Sequence, residues 1–302
     1  MTFHELNERF SLAGALQFEA SPGGLTRAAI SAPLADGDIY LQGAHVAHWT
    51  PCGQKPVLFM SSRSFFAPGK AIRGGVPVIF PWFGGRSDGK PGPAHGFART
   101  MEWSVESTRQ LGSGAVQIVL GLDANEASRA LGFDHFSARF TATFGTELDM
   151  ALTVSNSGPE PLPYEEALHT YFTISDIGGI AIAGLEGTAF IDKTDQFLRK
   201  TQPDEPILIA KETDQVHLDT GATCTISDPS WNRRIIVAKT GSRSTVVWNP
   251  WIAKTASMAD MAPDEWKGMV CVETANAAEN AVLLLPGESH TLTTTVSLQG
   301  TP

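Results

Sequence analysis

From position 136 to 144 the chain alternates apolar and polar side chains, with Phe136, Ala138, Phe140, Ala142 and Phe144 on one side. A period of two belongs to a strand with one buried face. After Gly145 and Thr146 the alternation resumes with Leu148, Met150, Leu152 and Val154. Two such runs joined through a glycine predict an antiparallel hairpin. Shorter runs of the same kind predict strands at 116–120, 234–238, 245–248, 269–274, 281–285 and 291–298. Helical signals are few. Thr2 with Glu5 three residues later predicts a short capped helix over 2–10. Pro263 and Gly268 bracket a further helical turn. The segment 175–219 is less periodic and reads as extended loops. Many short strands between Gly, Pro, Asn and Asp turns predict an all-β fold, a large antiparallel β-sandwich. With no repeat, low-complexity tract or linker, one domain over 1–302 is expected.

At 302 residues, 42% hydrophobic and 18% charged, the chain has ample material for such a core. Its net charge of -10 gives it no overall attraction for nucleic acid or an anionic membrane. An anionic ligand would need local basic groups working against that field. Cys52, Cys224 and Cys271 are widely separated and form no metal-binding pair, so neither a disulfide framework nor a zinc site is expected. The N-terminus lacks a basic start before an apolar run, and the apolar stretch 76–83 is short and broken by Pro77 and Pro81. The expectation is a cytoplasmic monomer with no membrane or nucleic-acid partner.

Certain residues fit the structural pattern poorly. Glu273 lies in the apolar run Met269-Val-Cys-Val-Glu-Thr274, where alternation places it on one face with Met269 and Cys271. Burial there would raise its pKa toward that of a general base; a place at the strand's exposed end would leave it merely solvated. His169, in Glu165-Glu-Ala-Leu-His-Thr-Tyr-Phe172, reads either as a proton carrier or as a satisfied core histidine. Arg73 precedes Gly74 and Gly75, which let backbone approach a ligand closely, and His95 and Arg99 follow around Gly96. A bulge carrying a surface arginine is the plainer alternative. Trp248-Asn-Pro-Trp251 reads equally as a sugar-stacking platform or as core and turn, and 192–195 as a binding loop or a solvated turn. No activated serine motif and no phosphate-cradling glycine loop is present. The residues alone give an acid–base site with an anion-binding arm.

Six stretches together resemble the aldose 1-epimerase superfamily, in particular its hexose-6-phosphate mutarotase branch. They are IRGGVPVIFPWFG at 72–84, HGFAR at 95–99, EEALHTYF at 165–172, IDK at 191–193, WNPW at 248–251 and CVETAN at 271–276. The resemblance implies a galactose mutarotase-like sandwich with the sugar in an open groove, acting on a small-molecule sugar phosphate. It implies His169 as general acid, Glu273 as general base, and Arg73, Arg99 and Asp192 as substrate-binding residues. His95 would sit near the ring oxygen. Neither metal nor other cofactor is implied. One departure stands out: Ala94 occupies the position before His-Gly where the family commonly has Gln.

Overall fold

The computed structural model describes residues 1–21 and 23–300. Its two largest sheets have eight strands each. One runs Ala181–Ala183, Cys224–Asp228, Arg233–Thr240, Ser289–Gly300, Leu148–Asn156, Phe136–Phe144, Val116–Asp123 and Ser104–Gln110, every pairing antiparallel. The 136–144 and 148–156 runs form the expected hairpin, with Phe136 opposite Asn156 and Phe144 opposite Leu148. All the apolar residues of their alternation are buried.

The other sheet carries the site. Its order is Leu198–Thr201, Ala189–Asp192, Thr213–His217, Ser244–Asn249, Met269–Asn276, Glu166–Leu168 and Val78–Ile79, with Tyr171–Thr173 also pairing to Met269–Asn276. Val247, Val270, Val272, Leu168 and Phe172 from this sheet share one core with Phe140, Leu152, Ile235 and Val296 from the first. Two sheets meeting through their apolar faces make a sandwich. A four-stranded sheet over 16–51 and the pair Leu162–Tyr164 with Val282–Leu284 complete the β-structure.

Helices are short: Phe3–Phe10, Glu126–Ala130 and Trp251–Ser257. The first has the expected capping box, the Glu5 amide donating to Thr2 Oγ1 at 3.3 Å and the Thr2 amide to Glu5 Oε2 at 2.7 Å. The turn expected at 263–268 is a 3-10 turn at Glu265–Gly268. The segment 175–219 departs from its reading as loops, because it contains four strands of three to five residues. These are too short to show a period. Among the described residues no helix is long and apolar enough to cross a membrane.

Strand Met269–Asn276 is buried along its whole length, as a central strand covered on both faces must be. Val270 and Val272 enter the inter-sheet core, while Met269 and Cys271 pack with Tyr171 and Trp248 on the opposite face. At its end Asn276 Nδ2 donates to Glu166 Oε1 at 2.9 Å. His290 Nε2 lies 3.3 Å from that same oxygen and donates to the Gly241 carbonyl at 2.7 Å, tying the two sheets together. The Glu166 hydrogen bond raises the His290 pKa above 6.5, and burial raises that of Glu166. Both shifts mean that the folded protein takes up protons relative to the unfolded chain. The His290 contribution is complete below pH 6.5 and lost as pH rises through the folded pKa. The buried histidines with lowered pKa values act in the opposite sense. The contribution of His290 is therefore read as a difference: between about pH 6 and 9, unfolding free energy from denaturant titration is expected to lose less, or gain more, with rising pH in His290→Gln than in the parent. An equal slope in the variant would remove this pair as the cause.

Candidate active site

Backbone close approach positions Arg73. The Gly75 amide donates to the Phe59 carbonyl at 2.7 Å, and the Val76 amide to the Val46 carbonyl at 2.8 Å, so the chain threads between two neighbouring segments. Gly74 and Gly75 take φ of +111° and +58°; a Cβ on either would collide with the Phe59 or Val46 carbonyl oxygen. Only glycine fits both demands. Arg73 then reaches across the sheet, with Nη1 donating to Tyr171 Oη at 2.8 Å and Nη2 to Asp260 Oδ2 at 3.0 Å. Burial opposes its charge, but Tyr171 and Asp260 outweigh burial and raise its pKa.

His169 follows strand Glu166–Leu168, its amide bonded to the Pro77 carbonyl at 3.1 Å. The pairings Leu168 to Thr274 and Tyr171 to Cys271 lay it across the strand that carries Glu273. Its ring stacks on Tyr171 with centroids 4.9 Å apart and meets Trp248 edge-on at 5.9 Å. His169 Nδ1 stands 3.2 Å from Glu273 Oε1, too poorly aligned for a hydrogen bond. Among the described residues, that nitrogen and both Glu273 oxygens are buried without a hydrogen-bond partner. Glu273 is 1% exposed, which removes its reading as a solvated strand end. Burial, reinforced by Asp214 and opposed by Lys193, holds its pKa well above 4.5. Burial, then His95, Arg73 and Arg99, hold that of His169 well below 6.5. Both groups are driven toward their neutral forms.

The two groups line one cavity of about 340 Å3, within the range of small-ligand sites. His95 and Arg99 line it too. His95 takes φ of +63°, its ring 5.6 Å from that of His169, and burial followed by Arg99 lowers its pKa to about 3. It meets a ligand as a neutral hydrogen-bonding group. Arg99 donates to the Ala94 carbonyl at 2.7 Å and, among the described residues, makes no ion pair. The structure thus brings together Arg73, His95, Arg99, His169 and Glu273.

Asp192 is the exception. Its carboxylate accepts from the Thr194 amide and hydroxyl at 3.0 and 2.6 Å and from Lys200 Nζ at 2.7 Å, which closes its own turn. Satisfied there, it does not line the cavity. The lining aspartate is Asp214 from the neighbouring strand, 3.2 Å from Lys193 Nζ. Reading 175–219 as loops concealed it; a polar residue inside a strand was the available signal. Lys254 and Met258 reach the cavity from helix Trp251–Ser257 and its end, and Trp248 lines it while packing with Tyr171 and Cys271 in an apolar cluster.

A buried histidine–carboxylate pair beside a cavity on an antiparallel sandwich is an arrangement suited to acid–base chemistry on a small ligand. The model of the family described as aldose 1-epimerase matches residues 34–297, and the chain belongs to that family of isomerases. A protein of Escherichia coli (strain K12) named "Putative glucose-6-phosphate 1-epimerase" is 35% identical over 260 residues, covering 85% of each chain. A Cenchrus ciliaris protein of the same name is 33% identical over 277 residues, 89% of this chain and 83% of its own. The crystal structure of a "putative mutarotase (YeaD)" from Salmonella typhimurium matches with a TM-score of 0.89 at 29% identity, covering 99% of this chain and 100% of that one.

Gly75→Ala is expected to destabilise the protein by about 2–4 kcal/mol, combining a strained φ with overpacking. Gly85→Ala, where an added Cβ meets nothing within 4 Å, should cost far less in the same denaturant titration. Equal effects would mean that the close approach at Gly75 is not what holds Arg73.

Proposed function

We propose that the chain is a hexose-6-phosphate mutarotase, with glucose 6-phosphate the leading substrate. The observation that carries this reading is a single cavity holding the His169–Glu273 pair together with four cations. Arg73, Arg99, Lys193 and Lys254 line it against only Asp214 and Glu273, in a chain of net charge -10. Local positive charge against the global field is what an anionic substrate requires.

The reaction follows from the pair. Glu273, as carboxylate, takes the proton of the anomeric hydroxyl while His169, as imidazolium, gives its proton to the ring oxygen. The C1–ring-oxygen bond breaks and leaves the open-chain aldehyde. Rotation about C1–C2 presents the other face of the carbonyl. The ring oxygen then attacks C1, His169 recovers its proton, and Glu273 returns one to the new anomeric hydroxyl. The charge state this needs differs from the neutral pair only by transfer of one proton across the 3.2 Å contact. Arg99, without an acidic partner, supplies the free cation for a phosphate, and Arg73 is held in place beside it by Asp260. Three unpaired cysteines suit a reducing, cytosolic setting.

Exchange NMR on the anomers of glucose and of glucose 6-phosphate, side by side, tests the proposal. Faster interconversion of the phosphorylated sugar supports it; equal rates would instead favour an epimerase of unphosphorylated aldoses. Glu273→Gln should lower kcat about 10²- to 10⁴-fold with sugar-phosphate binding retained. Arg99→Ala should raise KM about 10- to 100-fold for the phosphorylated sugar alone, the worth of a charge-assisted hydrogen bond. A Glu273→Gln enzyme turning over near normally would refute the base assignment.

A further inference from the structure

Cys271 lies two residues before Glu273 on the same face of strand Met269–Asn276, fully buried and outside the cavity lining. His169 lies across both. A ring nitrogen of His169, Cys271 Sγ and a Glu273 oxygen all fall within 4.8 Å of one another. A histidine nitrogen, a thiol and a carboxylate form a donor set suited to zinc, which takes nitrogen at about 2.0–2.1 Å, oxygen at about 2.0–2.2 Å and sulfur at about 2.3 Å. Two light-atom ligands of one tetrahedral ion stand about 3.3 Å apart, and the observed Nδ1–Oε1 separation is 3.2 Å. A second observation points to a ligand: among the described residues, Nδ1 and both carboxylate oxygens are buried with no hydrogen bond to satisfy them. Buried polar atoms are rarely left so in a folded protein.

We infer that His169, Cys271 and Glu273 form a three-ligand site for Zn²⁺ or a similar thiophilic dication, and that its occupation shuts off the acid–base pair. Only the inhibitory consequence rests on the mutarotase reading; binding does not. On coordination the thiol gives up its proton, as does the carboxyl group where it holds one, and these leave to solvent. Thiolate and carboxylate then neutralise the dication, which answers the objection that Arg73 and Arg99 stand nearby. A fourth ligand would come from the side of the cavity that His169 and Glu273 line. Water or an anion would complete the shell there. The ion would act as an inhibitor, since it takes the lone pair and the carboxylate oxygen that proton transfer needs.

The test uses the intact protein in a Cys52→Ser background, which removes the exposed thiol. Titration with Co²⁺ as a spectroscopic stand-in should give one equivalent with a thiolate-to-cobalt charge-transfer band. Zn²⁺ should displace it, and a chelator should reverse both. Cys271→Ser and, should that variant fold poorly, Cys271→Ala should abolish the band and weaken Zn²⁺ binding at least tenfold. Mutarotation in those variants should persist and become correspondingly insensitive to Zn²⁺. A band that is absent, or that survives loss of Cys271, overturns the site. Binding through Cys271 that leaves mutarotation uninhibited overturns the inhibitory role. Binding through Cys271 in a protein with no mutarotation at all supports the site and sinks the enzymatic reading instead.

Discussion

The contact between His169 Nδ1 and Glu273 Oε1 is made where both groups are buried, and the surrounding sheet has to compensate for that. Burying an uncompensated ionisable group costs several kcal/mol. The protein meets this cost by placing both groups on backbone that cannot yield. Strand Met269–Asn276 is paired along one edge to Ser244–Asn249 and along the other to Glu166–Leu168 and Tyr171–Thr173. Its alternate residues, Val270 and Val272, are fixed in the inter-sheet core. A carboxylate displaced toward solvent would drag a central ladder with it. The same ladder therefore supplies stability and preorganises the proton carriers.

Charge at the cavity obeys a similar logic of support from behind. Asp260 holds Arg73, and Glu212 lies 3.3 Å from Lys254, yet neither acid lines the cavity. Arg73 and Lys254 are thus each oriented by a carboxylate set back from the cavity, whereas Lys193 pairs with Asp214 on the lining itself. Arg73 and Arg99 also lower the basicity of His169. A phosphate settling on them would offset that field and make the imidazolium easier to form. Under the proposed mechanism the substrate's remote charge would then bring the acid into its working state only when substrate is present. That is binding energy used at the reacting centre.

Much of this was legible in the chain, and the boundary has physical causes. The hairpin from 136 to 156 was readable because each strand runs for nine residues with a clean period, and the strand read at 269–274 because it is a continuous β-rich apolar run. Arg73 announced itself through two adjacent glycines that close approach demands. Asp214 did not, because Thr213–His217 is short and its neighbours are irregular. Asp192 misled for a related reason: at a strand end an aspartate caps the following turn as readily as it faces a ligand. The helix Trp251–Ser257, which brings Lys254 to the cavity, has only seven residues and no apolar stripe to betray it. Its start is set by Asn249, whose side chain accepts from the Trp251 amide at 2.9 Å and donates to two carbonyls beyond. The Cys271 cluster was hidden more deeply, since its histidine is about a hundred residues away and strand pairing alone joins them.

The departure at Ala94 belongs with the local strain beside it. His95 holds a left-handed φ that a β-carbon disfavours, secured by its amide bond to the Gly84 carbonyl at 2.6 Å. Its ring packs against Phe83 and His169. Strain of this kind persists where surrounding contacts over-determine the conformation, as they do here. The Ala94 carbonyl in turn anchors Arg99, a main-chain contact that does not depend on the side chain at 94. A methyl group at 94 leaves the space before Arg99 open. Under the proposed function, recognition at this wall would fall to the neutral His95 imidazole and the Arg99 guanidinium, a pair better matched to an oxyanion than to a sugar hydroxyl.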